Sequence, residues 1–139
     1  MFLTVPSFRI GPEYSSVRIG DEKYLDRFIF YFFGTIRLHR FWRGDDDRAP
    51  HNHPWWFVTL PFTSYVEKVY DIEDGRYLGE RLVKAWRFHF RPARYRHMVV
   101  GRADGKKAPF WTFVLTGRRS QAWGFWPNPN EFVAWRDWL

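Results

Sequence analysis

The chain has 139 residues and no cysteine, which fits one domain and excludes disulfides, thiolate metal sites, iron–sulfur clusters and a cysteine nucleophile. Lys and Arg total 22 against 15 Asp and Glu, a formal charge of +7 that favours anionic partners; the cations are scattered, so nucleic acid is a secondary candidate. With 45% hydrophobic and 22% aromatic residues the chain is too apolar to be disordered, yet no apolar run is long enough to span a bilayer. The opening Met1-to-Arg9 stretch carries Pro6 and lacks the basic and apolar regions of a secretion signal, so a soluble, cytoplasmic protein is expected.

In chain order, residues 21–33 place Tyr24, Leu25 and Phe28 at helical spacing and predict a helix running into a strand. Residues 35–42 alternate, with Ile36 and Leu38 on one face and Arg37 and His39 on the other. Residues 55–60 form a dense apolar run, covered on both faces. Residues 65–70 alternate again, and Asp74-Gly75 signals a turn. Trp86, Phe88 and Phe90 share one face, opposite Arg87 and His89. Residues 95–100 lead through a polar loop at 101–107 into a last long strand at 110–116. Residues 131–139 read as a short amphipathic helix or an edge strand. Short aromatic and β-branched segments punctuated by Gly and Pro predict an all-β sandwich or barrel. Its exposed rings and sheet edges favour a homodimer.

Four of the five histidines lie around two places. His51 and His53 are two residues apart, so on an extended segment both rings project to the same side and can converge on one ion. One segment supplies too few directions for a coordination sphere, and His97, on the strand after Pro92, is the natural third ligand. The alternative is a turn in which the pair bonds the Asp45-to-Asp47 cluster and holds no metal.

Gly44, His51-x-His53 and, much later, Pro92 and His97 resemble the two motifs of the cupin superfamily. That resemblance implies a double-stranded β-helix, or jelly-roll barrel, over about residues 35–116, with short N- and C-terminal extensions in a single domain of residues 1–139. The stretch around Leu38-His39-Arg40-Phe41, the segment from Asp46 to Trp55 and the closing Gly124-Phe125-Trp126 are similar to small cupin-like proteins of phages and prophages. The family's Glu ligand falls at Phe57 or Val58, its Gly after Pro92 is Arg94, and its Asn position is Gly101. A three-histidine site of His51, His53 and His97 is therefore expected, with Glu67 as a possible extra ligand. Three neutral donors leave a divalent ion its charge and open positions. The resemblance points to a non-haem iron dioxygenase, with Fe(II) favoured over Zn, Mn or Ni, acting on a small anionic organic molecule; isomerisation or epimerisation is the lesser alternative, and a non-catalytic binder or a nucleic-acid or virion-associated protein the remaining ones.

Around this centre, Asp46, Asp47 and Arg48 would steady the ligand loop, and His39 would stand behind the ligands. Continuing the alternation past His53 places Trp55 and Phe57 against the substrate. Arg40, Arg87 and Arg96 are the expected cations for a carboxylate or phosphate. Tyr65, Tyr95 and Glu67 could move protons. Trp123 and Trp126 are expected to close the barrel end.

Overall fold

A computed structural model describes residues 3–5, 8–19, 22–44 and 49–138. Seven strands form one antiparallel sheet: β1 (Leu3–Val5), β2 (Phe8–Ile19), β3 (Glu22–Phe32), β4 (Gly34–Phe41), β5 (Phe57–Pro61), β8 (His89–Arg91) and β10 (Phe110–Thr116), in the order β1-β2-β3-β4-β10-β5-β8. A second layer contains β6 (Tyr65–Tyr70), β7 (Tyr77–Val83) and β9 (Arg96–Arg102), ordered β7-β6-β9, and the hairpin of β11 (Gly124–Asn128) and β12 (Glu131–Ala134). His51 joins these two pieces by isolated bridges to His97 on β9 and Phe125 on β11. The chain closes with a one-turn helix, α1 (Trp135–Trp138).

Two expectations from periodicity change. Residues 22–32 are strand throughout, because pairing with both β2 and β4 overrides the weak helical spacing of Tyr24, Leu25 and Phe28. The C-terminal segment is neither wholly helix nor wholly strand, but β12 followed by α1. The Asp74-Gly75 turn is present, with Gly75 at φ 75°. Gly44 permits a close approach of two segments: a Cβ there would lie 1.8 Å from the Val100 carbonyl oxygen.

The inner face of the large sheet mixes polar with apolar side chains, and its outer face is largely apolar. Registered pairs put Arg27, His39 and Thr112 in one inward row, and Ile29, Arg37, Val114 and Thr59 in the next. On the outer face, Tyr14, Phe28, Leu38, Phe113 and Leu60 align across five strands, and beside them lie Phe30, Ile36, Leu115 and Val58. The apolar interior is instead a compact cluster of Tyr65, Val83, Val99 and Phe110 at one end, with Phe41 packed against it. The remaining space between the layers is a cavity of about 870 Å³. Among the described residues, no helix is long and apolar enough to cross a membrane.

Candidate metal centre

The three histidines meet at the wall of that cavity. His51 and His97 exchange backbone hydrogen bonds, with N···O distances of 3.0 and 3.1 Å, which pins the loop before β5 to β9. The His53 amide donates to Ala93 O at 3.1 Å. The Gln121 side-chain amide donates to both His53 O and Ala93 O at 2.7 Å. Asn52 is tied to Ala122 and Gly124. The loop carrying the rings is thus held from both sides, by β9 and by the approach to β11.

One nitrogen from each ring lies within 4.8 Å of the other two, and His53 Nε2 stands 3.2 Å from His97 Nε2. His53 and His97 are buried. Burial, then the neighbouring His97 ring, holds His51 well below the usual imidazole range, with Glu67 acting weakly the other way. His53 is lowered for the same reasons, by burial first and then by His97 and His51. Both rings are therefore neutral donors at neutral pH, the state a divalent cation needs.

Glu67 lies behind His97, not in the converging set. Its Oε2 accepts from His97 Nδ1 at 2.5 Å, and its Oε1 accepts from the Tyr95 hydroxyl and from Arg91 Nη2 at 3.3 Å. Both oxygens are thus engaged, and the expectation of an extra ligand gives way to a carboxylate that orients a ring. Burial alone would raise this carboxyl, but His97, Tyr95 and Arg91 hold it at about 2. Tyr95 is pushed up to about 12 by its burial and by the Glu67 charge, so its hydroxyl stays protonated and donating. An ionised Glu67 fixes the His97 proton on Nδ1 and leaves the Nε2 lone pair facing the other rings. The donor set suits a borderline divalent metal: three imidazole nitrogens, one oriented by a carboxylate, with open space on the cavity side.

Trp55 and Phe57 line the cavity, with ring centroids 6.0 and 4.5 Å from His53. His39 lines it too; its Nε2 is buried with no hydrogen-bond partner among the described residues, and burial followed by the charges of Arg37 and Arg27 keeps the ring neutral. The three expected cations are elsewhere. Arg40, one residue out of phase with His39, faces outward, where it donates to Asp26 at 2.9 Å and stacks on Trp42 and Trp111. Arg87 is exposed in the turn before β8. Arg96, one residue out of phase with His97, is buried against Trp126, its guanidinium 3.8 Å from the ring centroid. The cations that line the cavity include Arg27 and Arg37, and the sequence signal for Arg37 was its two-residue spacing from His39. Trp123 covers one end of the cavity, stacked on Trp135, while Trp126 does not line it. Asp46, Asp47 and Arg48 lie outside the described residues.

Neither a protein-family model nor a curated protein matches the chain. Solved structures do. An Fe(II) form of HppE superposes with a TM-score of 0.58 at 10% identity, over 84% of this chain and 60% of that one. AerE from Microcystis aeruginosa gives 0.54 at 15% identity over 91% and 53%. The S161A mutant of Bacillus subtilis oxalate decarboxylase OxdC gives 0.56 at 12% identity over 81% and 30%. The chain spans about three-fifths or less of these neighbours' lengths. They are cupin-fold proteins, and the fold described above is a cupin-like jelly roll.

Proposed function

From a cupin-like jelly roll with three converging imidazoles, we propose a metal-dependent enzyme that acts on a small anionic organic molecule, with non-haem iron dioxygenation as its chemistry. The observation that carries the reading is the convergence of His51, His53 and His97, from two segments far apart in sequence, on one side of a cavity of ligand size. A divalent metal there supplies Lewis acidity and, as Fe(II), the electrons for dioxygen activation. His51, His53 and His97 would hold it; Zn, Mn and Ni suit the same donors.

The chain's own groups supply the rest. Glu67 keeps the His97 ring in one tautomer and one orientation, and Arg91 and Tyr95 keep Glu67 ionised. Trp55 and Phe57 give the substrate an apolar wall beside the ligands and exclude water from that side. The reading extends to assembly: the exposed apolar face of the large sheet would be covered by a second copy of the chain.

Metal analysis of untagged protein, before and after reloading with Fe(II), Mn(II), Ni(II) and Zn(II), tests this reading beside His51→Ala, His53→Ala and His97→Ala. Tight, roughly stoichiometric binding by the wild type and its loss in each variant is expected. A wild type that still takes up no metal after reloading would overturn the proposal. Metal binding without oxygen consumption, over a panel of small anionic substrates, would favour a non-catalytic ligand-binding protein.

A further inference from the structure

We infer that Arg37 and Arg27 form an oxyanion subsite in the cavity, and that it takes the doubly charged tetrahedral head group, a phosphonate or phosphate monoester, of the small molecule presented to the histidines. This rests on the reading that the cavity is a substrate site, but the subsite is defined by its own residues.

Arg37 is buried, 7% exposed, on the inward face of β4. Its Nε donates to Thr35 Oγ1 at 2.8 Å, and its guanidinium lies 4.6 Å from the Trp55 ring centroid. Among the described residues, no acceptor takes its Nη hydrogens and no carboxylate lies within ion-pair distance. An arginine buried this way normally has an anion beside it, because desolvating an unpaired charge is costly. Here the open side is the cavity.

Arg27 reaches the same space from β3, with Nε held by Ser15 Oγ at 2.9 Å, and among the described residues no carboxylate forms an ion pair with it. Glu13, the acid whose charge both guanidiniums feel, accepts a hydrogen bond from Tyr31 at 2.8 Å. The two cations repel each other. Burial first and Arg27 second lower Arg37 to about 10, which still leaves it charged at neutral pH. Two fixed positive charges with no carboxylate at ion-pair distance among the described residues match a dianion better than a monoanion, and the planar forks supply paired donors to its oxygens. His39, the cross-strand partner of Arg27 and two residues from Arg37 along β4, adds a neutral ring whose Nε2 has no hydrogen-bond partner among the described residues.

The subsite is also placed to be useful. Trp55 lies under the Arg37 guanidinium on one side and 6.0 Å from the His53 ring on the other. One small molecule can therefore rest on the indole with its head at Arg37 and its other end at the three imidazoles. The arginines would set which end faces the ligands, a positioning role separate from the chemistry.

Calorimetric titration of the full chain, in buffer free of phosphate and sulfate and at a pH well above about 6, tests this with three probes: methyl phosphate, methyl sulfate and acetate. Methyl phosphate is expected to bind most tightly. Methyl sulfate, of the same shape but singly charged, and acetate are expected to be roughly tenfold weaker or more. Arg37→Met should weaken methyl phosphate by roughly 10- to 100-fold, Arg27→Met by a smaller factor, and Arg37→Lys should restore part of the loss. Thermal melts identify any variant that fails to fold, in which case Arg37→Lys and Arg27→Met carry the test. No binding of methyl phosphate to the wild type, or equal binding to the wild type and folded arginine variants, would overturn the subsite. Equal affinity for the three probes would overturn its preference for a tetrahedral dianion. Metal uptake by the same variants is expected to stay at the wild-type level; loss of the metal reading alone would leave anion binding by Arg37 intact.

Discussion

His97 donates its Nδ1 proton to Glu67 at 2.5 Å and turns the opposite nitrogen toward His53, 3.2 Å away. The carboxylate belongs to β6 and the imidazole to the neighbouring β9, so the pairing of these two strands sets the direction of the ring. Glu67→Gln keeps the shape and removes the charge. Metal affinity should then fall about 10- to 100-fold, as for other carboxylates behind ligating imidazoles. Competition against a chelator, run beside a melt to confirm folding, measures it; unchanged affinity would reduce Glu67 to a packing role.

On the outer side of the large sheet, Asp26 is wholly buried yet charged. It accepts from Trp42 Nε1 at 2.8 Å, from Arg40 at 2.9 Å and from Tyr14 at 2.9 Å. Burial favours the neutral acid, but these donors prevail and hold the carboxyl well below its ordinary 3.8. A lowered folded value stabilises the protein above the unfolded value, and the stabilisation is lost as pH falls through the folded one. Asp26→Asn should cost about 1–2 kcal/mol at neutral pH, because it leaves Arg40 and Lys23, both partly exposed, without their shared charge partner. The variant should also lose less stability than the wild type when denaturant melts are repeated below about pH 4. Parallel acid limbs would show that Asp26 is not linked to folding.

Much of the centre was legible in the sequence, and the limits of that reading are physical. The two-residue spacing of His51 and His53 and the distant His97 suffice to foresee a cluster, because extended backbone sends alternate side chains to one side. The same rule, carried from His39, favours Arg37 over Arg40, and carried from His97 it turns Arg96 away. What periodicity lacks is the sign of the face. In β4 the polar face is interior and the apolar face exterior, the reverse of the usual arrangement, because the interior there is a cavity. Nor does the primary sequence announce that Glu67 reaches His97: that contact follows from the register of β6 on β9, shifted by an irregularity between Val66 and Glu67.

Gly44 offers a test of the motif that is independent of metal. Its Cα sits against the middle of β9, where a methyl group would meet both the Val99 and Val100 carbonyl oxygens at less than 3 Å. Gly44→Ala should therefore destabilise the fold by about 1–3 kcal/mol, the range of an overpacked site. Because β9 carries His97, weaker metal retention should accompany the lower melting temperature. A melt equal to wild type would mean that the two segments can separate without cost.

The outer face of the large sheet predicts self-association. Phe30 and Ile36 are cross-strand partners, 45% and 44% exposed, and their row continues through Leu115 at 40%. Phe28 and Tyr14 extend the apolar surface beside them. Contiguous apolar area of this kind is unfavourable in water, and a second copy would cover it by matching like with like across a two-fold axis. Two copies of a chain with net charge +7 repel at long range, so an uncharged contact face is the one on which they can meet. Sedimentation should show a dimer whose affinity rises modestly with salt, as that repulsion is screened. Phe30→Glu combined with Ile36→Glu places four carboxylates in the contact and should yield monomers without lowering metal uptake, since both side chains point away from the cavity. A wild type that stays monomeric at high concentration and high salt would leave that face to another partner.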